Sequence, residues 1–214
     1  MTEALTTTQR VQDRRRKRRS DGERSRQAIL EQAAQLATVD GLGGLSIGRL
    51  ADAVGMSKSG LFAHFGSKEE LQLATIEAAA AIFVGRVIGP AEAASSGLER
   101  LRVLTDGYLG YVEAATFPGG CFFASLASEV DTHPGPVRDA SVTIFDDWLE
   151  RLASAAREAQ AEGTIDPSED PDQLAFELEA FLFLANARWV IRRDSGPIVQ
   201  ARRAIERRLA SAAP

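Results

Sequence analysis

From residue 24 onward, apolar residues recur three and four positions apart between glycine and proline breaks, and no stretch alternates apolar with polar as a half-buried strand would. That periodicity admits one fold class, all-α. Residues 24–39 put Ile29, Ala33, Leu36 and Ala37 on one face, and Gly41 can take the left-handed position that ends a helix. Ser46 then caps a short helix with Ile47, Leu50, Ala51 and Val54 at i, i+3, i+4 and i+7, which Gly55 closes. Ser57 caps a third helix carrying Leu61, Phe62 and Phe65. After Gly66, Ser67-Lys68-Glu69-Glu70 reads as a capping box opening a fourth helix that runs to about Val87.

Beyond Pro90 the helices lengthen. One aligns Leu98, Leu101, Leu104 and Tyr108, with Tyr111 or Val112 on the same side, and stops at Phe117-Pro118-Gly119-Gly120. A shorter segment spans 121–130. A long helix after Pro136 aligns Ile144, Trp148, Leu152 and Ala155; another spans 170–192, and a last one carries Ile198, Ala201, Ile205 and Leu209. No repeat is evident. The expected divisions are a flexible basic arm (1–23), a unit of short helices (24–70) and a helical body (71–214).

Charge seems at first to oppose a nucleic-acid partner, since the chain of 214 residues carries −5 overall. The sum hides a division. Through Lys68 there are twelve Lys or Arg against seven Asp or Glu, and beyond it thirteen against twenty-three. A basic end on an acidic body points to an anionic partner for that end alone. Within it, Arg14, Arg15, Arg16, Lys17, Arg18 and Arg19 form a run with almost no apolar company, either tracking phosphate or remaining a solvated tail. The single cysteine, the absence of an apolar N-terminal stretch and of an apolar run near the ~20 residues of a membrane span lead us to expect a cytoplasmic protein with no membrane partner.

Two short helices joined by Gly55-Met56-Ser57 and preceded by a longer one have the proportions of a helix-turn-helix. The third helix begins Lys58-Ser59-Gly60, donor-bearing or small residues at the end where backbone N–H groups favour phosphate. Leu61 and Phe65 can pack inward, leaving Lys58, Ser59, Phe62 and His64 to face a groove.

The stretch Arg26-x-x-Ile29-Leu30, Ala33-Ala34, Gly41, then SIGRLADAVGMSKSGLFAHFGSKEEL from Ser46 to Leu71 resembles the DNA-binding domain of TetR-family transcriptional regulators. The resemblance covers about residues 24–75, with the glycine turn, His64-Phe65 and Lys68-Glu69-Glu70-Leu71 all at the family's spacing. It implies an all-helical homodimer that binds a near-palindromic double-stranded operator, represses transcription and is released by a small molecule bound in the C-terminal domain, with the recognition helices 34–36 Å apart in successive major grooves. It also implies that Arg26 belongs to the DNA-binding set, that Ser46 and Lys68 hold phosphates and that Ser57 to His64, Gly60 included, present the recognition helix. Phe62 departs from the tyrosine frequent at its position, so a hydroxyl contact to phosphate is missing. Gly48, inside the second helix, costs about 0.5–1 kcal/mol relative to Ala unless a close contact requires it. Gly119-Gly120-Cys121-Phe122-Phe123-Ala124 together with Pro134-Gly135-Pro136-Val137-Arg138 is similar to a subset of the same regulators.

For the effector, whose identity the sequence does not name, Tyr108, Tyr111, Cys121, Phe122, Trp148 and Phe183 are the candidate contacts. Asn186, a polar group in an apolar helix that needs a partner, would bond the effector or a second subunit. Cys121 is a buried small hydrophobe or a thiol sensor. No cofactor is expected. Two histidines and one cysteine make a His/Cys metal site improbable, and Cys121 with His133 lacks a third orienting group for nucleophilic catalysis. The alternative function is a DNA-binding regulator without a small ligand, controlled by a protein partner. An apolar cavity in the C-terminal half would favour the first reading, and a filled core the second.

Overall fold

The computed structural model describes residues 22–129 and 134–214, and among these every regular element is a helix. The arginine-rich run 14–19 and His133 lie outside the described residues.

α1 covers residues 22–40 and buries Ile29, Ala33 and Ala37 of the predicted face, with Leu36 partly buried and Leu30 and Ala34 buried as well. α2 (Ile47–Val54) and α3 (Lys58–Phe65) follow as helices of eight residues each. Such short helices do not persist by propensity. They hold because Leu50, Ala51, Leu61 and Phe65 are buried and because their ends are closed by side chains. Gly55 sits at φ +68° as the left-handed cap of α2, the conformation that lets the chain turn directly into α3.

α4 (Lys68–Ala91) outruns the end expected near Val87, passing through a π-helical turn at Val84–Ile88. It is long and apolar enough, by length and composition, to cross a membrane, although no uninterrupted apolar run within it approaches that length. Half of its apolar stretch is buried in the core, including Leu71, Ile76, Ala79 and Phe83. The capping box at its start is half formed. Ser67 Oγ accepts from the Glu70 N–H at 3.0 Å, while the Ser67 N–H donates to the Phe65 carbonyl rather than to Glu70.

The body comprises α5 (Gly97–Glu113), α6 (Phe122–Ala127), α7 (Pro136–Ala161), α8 (Pro171–Arg192) and α9 (Gly196–Ser211). α7 packs on α5 and α8, α8 on α9, and α4 lies against α7. At the α5–α7 crossing a side chain on Gly97 would stand 2.3 Å from the Ala159 nitrogen, so only glycine permits that approach. Arg208 of α9 pairs with Glu177 of α8 and with Glu169 before it, and Arg100 of α5 with Glu158 of α7, tying the helix pairs at their edges.

Candidate DNA-contacting face and interior cavity

At the head, the serines that precede the helices act as caps. Ser46 Oγ accepts from the Arg49 N–H at 3.2 Å and Ser57 Oγ from the Gly60 N–H at 3.1 Å. With those donors closed, the exposed first turn of α3 presents Lys58 and Ser59, followed by Phe62, half exposed at 51 %, and by partly buried His64. Leu61 and Phe65 point inward, as their spacing predicts. A Cβ at Gly48 would come within 3.1 Å of Lys58 Cε, the flexible end of an exposed side chain.

Two expected DNA contacts have partners within the chain. Lys68 Nζ donates to the Gly43 carbonyl at 2.6 Å, so its ammonium is held against the α1–α2 loop. The Arg26 guanidinium stands over the Phe65 ring, 5.1 Å from its centroid, bracing α1 on α3. Neither arrangement is legible from spacing, because each joins residues more than twenty positions apart.

Behind the head, the Phe117–Cys121 turn joins three elements. The Gly119 N–H donates to Thr38 Oγ1 of α1 at 3.1 Å, and a Cβ on Gly119 would fall 1.8 Å from the Thr38 carbonyl oxygen. Gln35 of α1 donates to the neighbouring Thr116 carbonyl at 3.1 Å. Gly120 sits at φ +87°, where a Cβ would meet Asn186 Oδ1 at 2.3 Å, and the Cys121 N–H donates to that same Oδ1 at 2.7 Å. Asn186 Oδ1 therefore has its partner in this turn.

Cys121 closes one side of an interior cavity of about 150 Å³ set between α4, α5, α7 and α8. Tyr108 and Trp148 line it, as the sequence leads one to expect, together with Phe83, Phe123, Ile144 and Glu179. The Phe83 ring is the hub, edge-on to Tyr111, Phe123 and Trp148 at 5.2–5.7 Å. Tyr111 and Phe122 are buried but do not line the cavity, and Phe122 packs against Phe117 and Phe123. Phe183 lies elsewhere, on the outer face of α8 in a shallow groove with Phe176, Leu184 and Leu149, because its position turns it away from the core that Leu182 enters. Sequence reasoning passed over Phe83 and Glu179. Phe83 follows four alanines and Ile82, and Glu179 follows Glu177 by two positions, so neither is marked by its neighbours along the chain.

Burial disfavours charge on the enclosed polar groups of the cavity, while Asp147 and Arg151 on its wall are exposed. Burial pushes the Cys121 thiol up to about 11, so it stays protonated at neutral pH and behaves as a small hydrophobe. Burial also raises the Glu179 carboxyl to about 7, and the hydrogen bond it accepts from Trp148 Nε1, at 2.7 Å, opposes that rise only in part. The Tyr108 and Tyr111 hydroxyls are buried beside the Cys121 thiol, and desolvation raises both phenols above their ordinary range. Among the described residues no cluster of three His, Cys, Asp or Glu could hold a metal.

Comparison with known proteins bears on both regions. The family profile described as bacterial regulatory proteins, tetR family, matches residues 29–75, and that described as tetracyclin repressor-like, C-terminal domain, matches residues 97–205. Transcriptional regulator AcuR of Cereibacter sphaeroides is 28% identical over 163 residues, covering 75% of this chain and 73% of its own. A TetR transcriptional regulator from Chloroflexus aurantiacus superposes with a TM-score of 0.82 at 27% identity, covering 89% of this chain and 96% of that one. AibR, solved in complex with isovaleryl coenzyme A and operator DNA, has a TM-score of 0.67 at 25% identity, covering 84% and 95%. With one profile on the helix-turn-helix and the other on half of the chain beyond it, and with the fold shared over nearly the whole length, the chain belongs to the TetR family of transcriptional regulators, a class of DNA-binding proteins and not of enzymes.

Proposed function

We propose that this protein is a cytoplasmic, ligand-responsive repressor that binds a near-palindromic operator as a homodimer and leaves it when a small molecule occupies the interior cavity. The observation that carries this reading, against control by a protein partner alone, is the unfilled apolar cavity whose wall residue Cys121 belongs to the turn bonded to α1. A ligand that reshapes the wall moves that turn, and with it the head. To release DNA it must prefer the head spacing that does not fit the operator, since equal affinity for both states shifts nothing. AibR, with its bound coenzyme A thioester and operator, supports a small-molecule effector for a fold of this kind.

In this reading Lys58, Ser59, Gly60, Phe62 and His64 face the major groove, Ser46, Ser57 and Arg26 lie at its phosphate edge, and the arm 14–19 adds phosphate contacts. Lys68 positions the α1–α2 loop beside the backbone. The second subunit covers the outer face of α8, where Phe176, Leu184 and Ile191 are 63%, 59% and 81% exposed.

The test is a shift assay on DNA upstream of the protein's own gene and its neighbours, at stated salt. Lys58→Ala should weaken operator binding at least about tenfold with an unchanged melting temperature, since an exposed lysine on phosphate or base adds nothing to the fold. Removing residues 1–20 should flatten the dependence of log K on log[salt] by at least about one unit. No shift on any of these DNAs would sink the repressor reading.

A further inference from the structure

Among the polar groups of the cavity, Glu179 is the one left without a match. The Tyr108 hydroxyl and the Cys121 thiol lie in contact and answer each other. Asp147 and Arg151, one turn apart on α7, are exposed to water. Glu179 is half-buried on the wall, its one hydrogen bond comes from Trp148 Nε1 at 2.7 Å, and among the described residues no Lys, Arg or His pairs with it. As a carboxylate it lacks a countercharge. As a carboxylic acid it lacks an acceptor for its proton, because the indole N–H can only donate.

The walls favour the first state with a cation beside it. Phe83, Tyr108, Phe123, Phe145 and Trp148 set five aromatic rings around the same space, and aromatic faces attract cations. A ligand carboxylate in the interior would instead face Glu179, with only exposed Arg151 to pair with. The volume, about 150 Å³, suits a frame the size of benzene.

We infer that the cavity takes a compact organic cation, an ammonium group on a ring-sized apolar frame, with the ammonium against the Glu179 carboxylate. As a statement about the effector, this rests on the reading of the cavity as the effector site. Such pairing draws on the ionised carboxyl, which burial makes scarce below about pH 7, whereas an alkylammonium keeps its proton from pH 6 to pH 8. Of the other titratable groups around Glu179, Cys121 and Tyr108 are raised beyond that range, Asp147 and Arg151 are exposed, and the α4 wall contributes none.

Cyclohexylamine, cyclohexanone and cyclohexanecarboxylate share one ring and carry a cation, a neutral acceptor and an anion. Each is titrated into the full-length protein by calorimetry at pH 6 and pH 8 and added to the operator shift assay. At pH 8 cyclohexylamine should bind at least about tenfold more tightly than either analogue, and its affinity should fall by up to about tenfold at pH 6. Glu179→Gln should lower its affinity at least about tenfold at pH 8 and abolish the pH dependence, with the melting temperature unchanged or raised, whereas Glu179→Asp, which keeps the charge, should retain that dependence. Ketone binding that is tighter and weakens as pH rises would make the protonated acid a donor and overturn the inference. Tighter binding of the carboxylate, no binding of the amine, or full amine affinity in Glu179→Gln would also overturn it. Glu179-dependent amine binding without operator release would support the ligand class and remove its role as effector. Operator release by the ketone or the carboxylate alone would keep the effector role and overturn the class.

Discussion

The head and the body of this protein solve the same problem, closing the polar ends and faces of helices, in different ways. In the head, α2 and α3 are eight residues long, and each starts at a serine whose hydroxyl accepts from a backbone N–H of the first turn. In the body α5 and α8 are capped in the same way, by Ser96 and Asp170, but the helices run to 26 residues, and at α7 and α9 the residue at the cap makes no side-chain bond. There, burial of a whole face makes up for open ends, as with Leu152, Ala155, Ala156 and Ala159 along α7. The head closes the starts of α2 and α3 locally and can turn Lys58 and Ser59 outward. The body buries phenol hydroxyls beside a thiol inside. One region is built to contact something outside itself, the other to admit something in.

The junction between them is where that contrast is most easily broken. Gly119→Ala should destabilise by about 3 kcal/mol, because its Cβ would stand 1.8 Å from the Thr38 carbonyl oxygen and backbone, unlike a side-chain tip, cannot step aside. Urea denaturation measures this, and a variant as stable as the parent would mean that head and body do not meet closely there.

Within the body, Glu179 gives a pH signature. Its folded carboxyl titrates at about 7 against an ordinary 4.5, so between those values the folded protein keeps a proton that the unfolded chain has shed. The stability this contributes is complete below pH 4.5 and is lost as pH rises through 7. Glu179→Gln should therefore match the parent near pH 5 and exceed it by about 2 kcal/mol at pH 8, read from denaturation midpoints across that range. A constant difference at all pH values would show that the carboxyl is not held near neutral by burial.

The head should respond more mildly and locally. Ser57→Ala, which frees the Gly60 N–H, should cost about 1 kcal/mol, whereas Ser195→Ala at the uncapped start of α9 should leave the melting temperature in place. Equal losses at the two sites would erase the distinction between capped and buried helices.

Much of the head was legible from its residues. The ends of α2 and α3 fall where Ser46, Gly55, Ser57 and Gly66 put them, since capping and left-handed turns act within one helical turn. At Gly48 a Cβ would meet only the flexible end of the exposed Lys58, at 3.1 Å. In the body the helices themselves were legible, but not the cavity. Of the expected effector contacts Tyr108, Cys121 and Trp148 converge, while Tyr111, Phe122, Phe183 and Asn186 do not line it.

Periodicity and capping relate residues at most a few positions apart, so the sequence alone determined an all-helical chain, a helix-turn-helix with its outward residues, and a basic end on an acidic body. Which side chains share a cavity depends on how helices tens of residues apart cross. That packing brought Asn186 to Cys121, Gly119 to Thr38 and Glu179 to Trp148. Only the tertiary structure could decide those pairings, because a residue's partner across a helix crossing leaves no trace in its own neighbourhood along the chain.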